Sequence, residues 1–583
     1  MSPVWQAAAR RQPGDHLAWC FVTATGQGGE RSGATFDDVL RDGSGRPTPG
    51  DRAGHDQAPH DQAPHGRLMR RSPLSAWIDA WWSGVLRTPA RRRLWWWGGP
   101  AFVTLIAAVL RLWNLGHPHA LVFDETYYVK DAWTLWNTGA ERSWPDGADD
   151  AFVAGDVDSW LETPSYVVHP PLGKWLIGLG MALVGQGTDS AGWRLATAVI
   201  GVLAVLLLTL IARRLFSSTA LAVLAGGLFA IDGHAIVMSR VALLDTMVMF
   251  FALLGVGAVL LDREWFRRRL DDWIVRRDAG AGDPWGPVYW NRPWVLAAGV
   301  AFGLATSVKW SGLYFLAVFG VYLVVVDALA RRRARIPFFW SSAVLRQAPA
   351  TFVLLVPVAL LVYLASWTGW FLGDDGYDRT WADQPSNAWT GPFAWVPTAL
   401  QSLWHYHESM YGFHVGLSSP HPYQASPFSW LLLVRPTSMW YSASPGGAEA
   451  ITSIANPIIW WASVAALLFL VYRIVVRPDW RIGLILTGIV AGYGPWLLYP
   501  DRTVFQFYTI AFEPYLLLAL TVAIATIIGR PGDEPSRRSA GMIATGAFLV
   551  VAVLASAFWY PLWTATWVPD LFIRVHYWLP GWI

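Results

Sequence analysis

Two carboxylates stand side by side at Asp124 and Glu125, within Val122-Phe123-Asp124-Glu125-Thr126-Tyr127-Tyr128-Val129-Lys130, directly after the first strongly apolar stretch. Carboxylates are costly at a membrane face unless something uses or neutralises them, so the pair reads either as a solvated helix start or as a site. Cations follow at Lys174, Arg194, Arg240, Lys309, Arg435 and Arg502. Acids and cations together suit transfer from a lipid-phosphate donor. Cations stabilise a departing phosphate, and a carboxylate takes the proton from an attacking hydroxyl. Each cation also has a plainer reading, snorkelling or helix capping at the boundary. Asp245, in Ser239-Arg240-Val241-Ala242-Leu243-Leu244-Asp245, equally reads as a helix start or a partner of Arg240.

The elements that must position these residues are membrane spans. Of 583 residues, 54% are hydrophobic and 15% charged, and mean hydropathy is +0.33. That balance predicts an all-α polytopic membrane protein. Apolar stretches recur at about 95–115, 172–187, 195–212, 218–232, 235–261, 294–308, 310–327, 347–366, 455–473, 481–499, 510–529 and 540–560. Arginine clusters at 91–93, 213–214, 267–277, 331–335, 473–481 and 530–538 should all be cytoplasmic. They alternate correctly only if 172–187, at roughly 24 Å of helix against a core near 30 Å, lies on the outer face without crossing. About eleven transmembrane helices result, with the N-terminus cytoplasmic and the C-terminus external. Two long external loops, about 116–171 and 367–454, should carry amphipathic helices, and nearly all remaining membrane-adjacent charges fall on their side.

Residues 1–90 read as a disordered cytoplasmic leader, dominated by Gly, Pro, Asp, Arg and His and without a signal-peptide core. Residues 91–583 form the membrane domain. The leader's repeat with His55, His60 and His65 reads as low-complexity linker rather than a metal site. Around Trp77 to Leu94 an interfacial helix is expected. A net charge of +3 leaves no nucleic-acid footprint, and the single Cys20 excludes an intrachain disulfide. No phosphate-binding Gly loop with Lys-Ser/Thr follows a strand, which argues against a soluble nucleotide-dependent mechanism.

A family resemblance rests on ordered strings from about residue 95 to 583. Phe123-Asp124-Glu125 precedes His169-Pro170-Pro171-Leu172-Gly173-Lys174, then Ser239 through Asp245, then Gly303-Leu304-Ala305-Thr306-Ser307-Val308-Lys309-Trp310-Ser311-Gly312-Leu313. His421-Pro422-Tyr423-Gln424-Ala425-Ser426, Trp430 through Arg435-Pro436, and Arg502 through Gln506-Phe507-Tyr508 to Phe512-Glu513-Pro514-Tyr515 follow. The chain thereby resembles the protein O-mannosyltransferases, in their actinobacterial form. The resemblance implies a GT-C type membrane glycosyltransferase. It would move mannose from a polyprenyl-phosphate-mannose carrier to Ser or Thr hydroxyls of exported polypeptides, with inversion. It implies Asp124 as general base with Glu125 in support, and Arg194, Lys174, Arg502 and Gln506 as candidate phosphate ligands. His169, Arg240, Asp245, Lys309, His421 and Arg435 are further substrate or support candidates.

The pattern departs from fungal members, since no loop is long or β-patterned enough for their β-trefoil domain, and the leader has no counterpart in the motif set. No cofactor is expected. No His/Asp/Glu set of dedicated metal spacing is visible, although Asp124 and Glu125 could contribute to a divalent site. His405, His407 and Glu408 fit acceptor contacts or loop structure better. Two competing readings stand beside this one. The first is another GT-C transferase of the aminoarabinose or arabinose type. The second is a lipid-linked sugar transporter, which should show internal repeats or paired broken helices.

Overall fold

The computed structural model describes residues 73–278 and 283–582; the rest of the expected leader, with Cys20 and the histidine repeat, lies outside the described residues. Within 73–90 the chain is already helical: α1 (Pro73–Val85) leads into α2 (Pro89–Leu112). Pro89 opens α2 at a position where its missing N–H costs nothing, and the Thr88 hydroxyl accepts from the Arg91 N–H at 3.3 Å. Trp77 and Trp81 are exposed on α1, as an interfacial helix requires.

The chain continues through α3 (Glu125–Thr138), α4 (Leu172–Leu183), α5 (Ser190–Phe216), α6 (Thr219–Ile231), α7 (Gly233–Arg240) and α8 (Asp245–Asp278). It then forms α9 (Pro293–Val308), α10 (Gly312–Arg333), α11 (Phe339–Ser366), α12 (Thr398–Gly416), α13 (Pro457–Val476), α14 (Trp480–Leu498), α15 (Glu513–Ile528) and α16 (Pro535–Trp563). Among the described residues, eight helices (α2, α5, α8, α10, α11, α13, α14 and α16) are long and apolar enough to cross a membrane. The pair α6–α7 makes a ninth if a span bent by 60° is counted as one. The chain is therefore a multi-pass membrane protein. Helices α9 and α15 have 16 residues each. They would bring the number to the expected eleven, but at about 24 Å they fall short of a 30 Å core. At 12 residues, or about 18 Å, α4 is shorter still.

The reading of 235–261 as one continuous span is corrected, because a short helix, α7, comes between the break at Asp232 and the next long helix. Asp232 ends the first helix and caps the second, its carboxylate accepting from the backbone N–H of His234 at 2.9 Å and of Ala235 at 3.4 Å. Gly233 fits there because a Cβ would lie 2.0 Å from the Trp563 ring. The next long helix starts only at Asp245.

A second correction concerns the late loop. It contains an antiparallel hairpin, β1 (Thr437–Ser444) and β2 (Gly447–Ser453), extended by β3 (Val568–Pro569) in the order β1-β2-β3. Gly446, with φ +80°, makes the turn. The register pairs Thr437 with Ser453 and Ser444 with Gly447. Among the described residues the remaining regular structure is helical, apart from an isolated bridge between Arg142 and Pro164.

Contacts sort the charges to opposite ends of the bundle. At one end Arg213 stacks on Trp96, Arg214 pairs with Glu264, Arg277 donates to the Ala334 carbonyl, and Arg538 pairs with Asp79. At the other, the two long loops pack on each other. Arg142 pairs with Asp375, and the Tyr406 hydroxyl donates to the Val167 carbonyl at 2.9 Å.

Candidate active site

Glu125 is fully buried and saturated. One of its oxygens accepts from Arg194 Nε and from the Ala242 N–H, both at 2.8 Å. The other accepts from Arg194 Nη2 at 2.9 Å and the Val122 N–H at 2.8 Å. Arg194, on the first turns of α5, spends its remaining donors on the carbonyls of Leu115, Pro118 and Ala120. A buried pair of this kind is tolerable because the fork geometry is bidentate and every lone pair and proton is used. It ties α3 to α5 and to the α7–α8 connection. The expectation that Arg194 holds phosphate is thereby corrected: it has no donor left to offer. Glu125 likewise acts as an anchor of α3.

What that anchor presents is Asp124, the residue before α3, half-buried and next to Phe123 with its left-handed φ of +52°. Burial pushes the Asp124 carboxyl up to about 6; the charge of Lys309 pulls it down and that of Asp245 pushes it up again. Asp245, first residue of α8, accepts from Lys309 Nζ at 3.0 and 3.1 Å, and both are buried. The Lys309 ammonium sits 4.4 Å from the Tyr508 ring centre. Asp245, Tyr508, Tyr314 and Trp496 line one cavity.

Arg502 lies across the same region. Its Nε donates to the His414 carbonyl at 2.9 Å, Nη2 meets His414 Nδ1 at 3.2 Å, and the guanidinium is 5.5 Å from the Trp496 ring. His414 in turn stacks on His169, with ring centres 5.2 Å apart. Burial holds both imidazoles well below the usual histidine range, His414 at about 4, with neighbouring cations adding to it. Both rings are neutral at pH 7 and serve as polar surface, not as cations. His169 Nδ1 and both amide atoms of Gln506 are buried without a hydrogen-bond partner among the described residues. Orphaned polar atoms at this depth are what a polar ligand would satisfy.

The other expected residues separate. Lys174 is buried against Glu141, beside Asp131, whose carboxyl burial raises to about 7. It closes an internal charge cluster between α3 and α4 and is no free phosphate ligand. Arg240 caps the end of α2, donating to the carbonyls of Arg111 at 3.0 Å, Trp113 at 2.7 Å and Asn114 at 3.0 Å. Arg435 binds the carbonyls of Pro422 and Gly581, fastening the chain end to the late loop. His421 packs its ring on Phe123 and Phe505, beside Asp124. His405 stacks on Trp381 at 3.8 Å, His407 bonds the Tyr363 hydroxyl at 2.5 Å, and Glu408 accepts from Trp404. Among the described residues no three His, Cys, Asp or Glu side chains are grouped to hold a metal ion.

Sequence reasoning overlooked His414, Trp496, Asp131 and Glu141, and quoted Tyr508 without giving it a role. For His414 a signal existed: His407 and His414, seven residues apart, share one face of α12. For Glu141 none did, because its partner Lys174 is brought near only by the packing of α3 on α4.

Comparisons with known proteins point to one family. A family profile described as the C-terminal four TMM region of protein-O-mannosyltransferase matches residues 399–582, and one described as dolichyl-phosphate-mannose-protein mannosyltransferase matches 168–276. The chain is 35% identical to the polyprenol-phosphate-mannose–protein mannosyltransferase of Mycolicibacterium smegmatis strain MKD8, over 83% of this chain and 92% of the relative. It is 30% identical to the protein of that name from Corynebacterium glutamicum, over 83% of this chain and 92% of the relative. In fold it is similar to a chain of the S. cerevisiae protein O-mannosyltransferase Pmt1-Pmt2 complex bound to the sugar donor. The TM-score is 0.62 at 16% identity, over 83% of this chain and 92% of that chain.

Proposed function

The chain belongs to the protein O-mannosyltransferase family, and on that footing we propose that it transfers mannose from a polyprenyl-phosphate-mannose carrier to Ser or Thr hydroxyls of polypeptides, with Asp124 as general base. The observation that carries the assignment is the half-buried Asp124 carboxylate beside the Asp245–Lys309 pair, with a carboxyl at about 6. Such a group is ionised at neutral pH yet basic enough to accept a proton from a hydroxyl as it attacks.

In the transfer, the acceptor oxygen forms a bond to the sugar C1 as the C1–O bond to phosphate breaks, and the acceptor proton passes to Asp124. Attack opposite the leaving group inverts the anomeric centre. Charge gathers on the departing phosphate. Arg502, which offers a guanidinium edge beyond its bonds to His414, and Lys309 stabilise it. The unpartnered Gln506 amide adds a neutral donor. Arg194 and Glu125 position the base, and Lys174 with Glu141 holds α4 against α3. The gathering of arginines at the opposite end of the bundle supports a cytoplasmic location for that end. Asp124 and the two long loops then face outward from the cell membrane, towards polypeptides being exported.

Purified protein given polyprenyl-phosphate mannose and a Ser/Thr-rich peptide should yield mannosyl peptide of inverted anomeric configuration, read by NMR of the product. A retained configuration, or transfer to a lipid in preference to peptide, would remove the reading.

A further inference from the structure

At the end of α8 away from Asp245, a cavity of about 680 Å³ opens between α8, α10 and α14. Arg263 lies 18 residues along α8, about 27 Å from the active-site end. The transfer reaction has no use for a cavity there. Five arginines line it, and three of its four carboxylates are already engaged: Glu264 by Arg214, Asp327 by Arg292, and Asp479 by the Arg481 N–H. Asp271 is the fourth. Arg263, Arg267 and Arg333 form no ion pair among the described residues, and the charges of the latter two act on Arg263. Arg263 is held flat, its guanidinium 3.9 Å from the Trp480 ring centre. Tyr322, about nine-tenths buried in the wall, lies against Arg263. Unpaired like charges converge here because the backbone brings them together, and a bound anion would relieve them.

The mouth of the cavity identifies the source of that anion. Val325 and Leu329 line it and are exposed on α10, a spanning helix, where exposed apolar side chains meet lipid. We propose that the cavity binds the phosphate headgroup of an anionic membrane lipid between Arg263, Arg267 and Arg333, with the acyl chains lying along Val325 and Leu329. Guanidinium forks grip phosphate oxygens bidentately, and basic pockets between spanning helices suit such headgroups.

The test uses the full chain in neutral detergent, titrated with dihexanoyl phosphatidylglycerol, dihexanoyl phosphatidylcholine or inorganic phosphate and followed by native mass spectrometry. Phosphatidylglycerol should bind saturably and at least tenfold more tightly than phosphatidylcholine. R263Q/R333Q should weaken it at least tenfold, while R268Q, at an exposed position outside the cavity, stays within twofold. Should R263Q/R333Q fail to fold, R263K/R333K keeps the charge but loses the fork and should still weaken binding severalfold. Equal binding of the two lipids, unchanged binding in the arginine variants, or inorganic phosphate binding as tightly as the anionic lipid would each overturn the proposal.

Discussion

Two adjacent acids have opposite tasks here, and their environments say why. Glu125 is saturated by four donors and cannot take a proton without breaking a bond; Asp124 accepts no such set and its carboxyl rests at about 6. A base must be ionised, so transfer should fall about tenfold per pH unit below an apparent pKa near 6 and level off above it. D245N removes the negative charge that raises Asp124 and leaves Lys309 less neutralised, and both effects move that acid limb to lower pH. An unmoved or upward-shifted limb in a pH–rate profile would separate Asp245 from the base. E125Q strands the buried Arg194 charge, which by analogy with broken buried pairs costs about 3–5 kcal/mol. Its thermal midpoint in detergent should drop together with activity. The acid pair and its neighbours were legible as residue types in the sequence. The anchoring role of Arg194 was not, because its carbonyl partners at Leu115, Pro118 and Ala120 are set by the path of a loop that no periodicity encodes.

Helix contacts place the cation as firmly as ion pairs place the base. Lys309 follows directly on α9, which meets α11 through Gly299 and Gly303, four residues apart on one face. A Cβ on Gly303 would lie 2.8 Å from the Ala359 carbonyl oxygen, and one on Gly299 2.7 Å from that of Leu355. G303V must push the two helices apart, at about 1–3 kcal/mol, and carry Lys309 with it. Thermal midpoint and transfer should both fall, whereas G320A, where the nearest atom is 3.6 Å away, should leave both unchanged. Most spans could be read from hydropathy and arginine clusters. The short helix Gly233–Arg240 that Asp232 caps could not, since the apolar run resumes at Ala235 and the bond of that carboxylate to the Asn456 N–H is set by packing across the fold. The hairpin of β1 and β2 was hidden for a related reason. It is a single short ribbon whose partner β3 arrives more than a hundred residues later.

Over the whole molecule, the described helices separate arginine clusters from the acid-bearing loops. A reporter fused after Arg268 should therefore register as cytoplasmic and one fused after Ile583 as external, in a topology assay by protease accessibility. On the proposed mechanism, the same polarity keeps a lipid-borne donor and an emerging polypeptide at one face, where Asp124 meets both. The most direct measurement is mannose transfer to peptide by purified, liposome-reconstituted protein, comparing wild type with D124N at equal thermal midpoint. Loss of a general base predicts a rate lower by about 10²–10⁴-fold with the fold intact. Transfer by folded D124N at the wild-type rate would contradict the account.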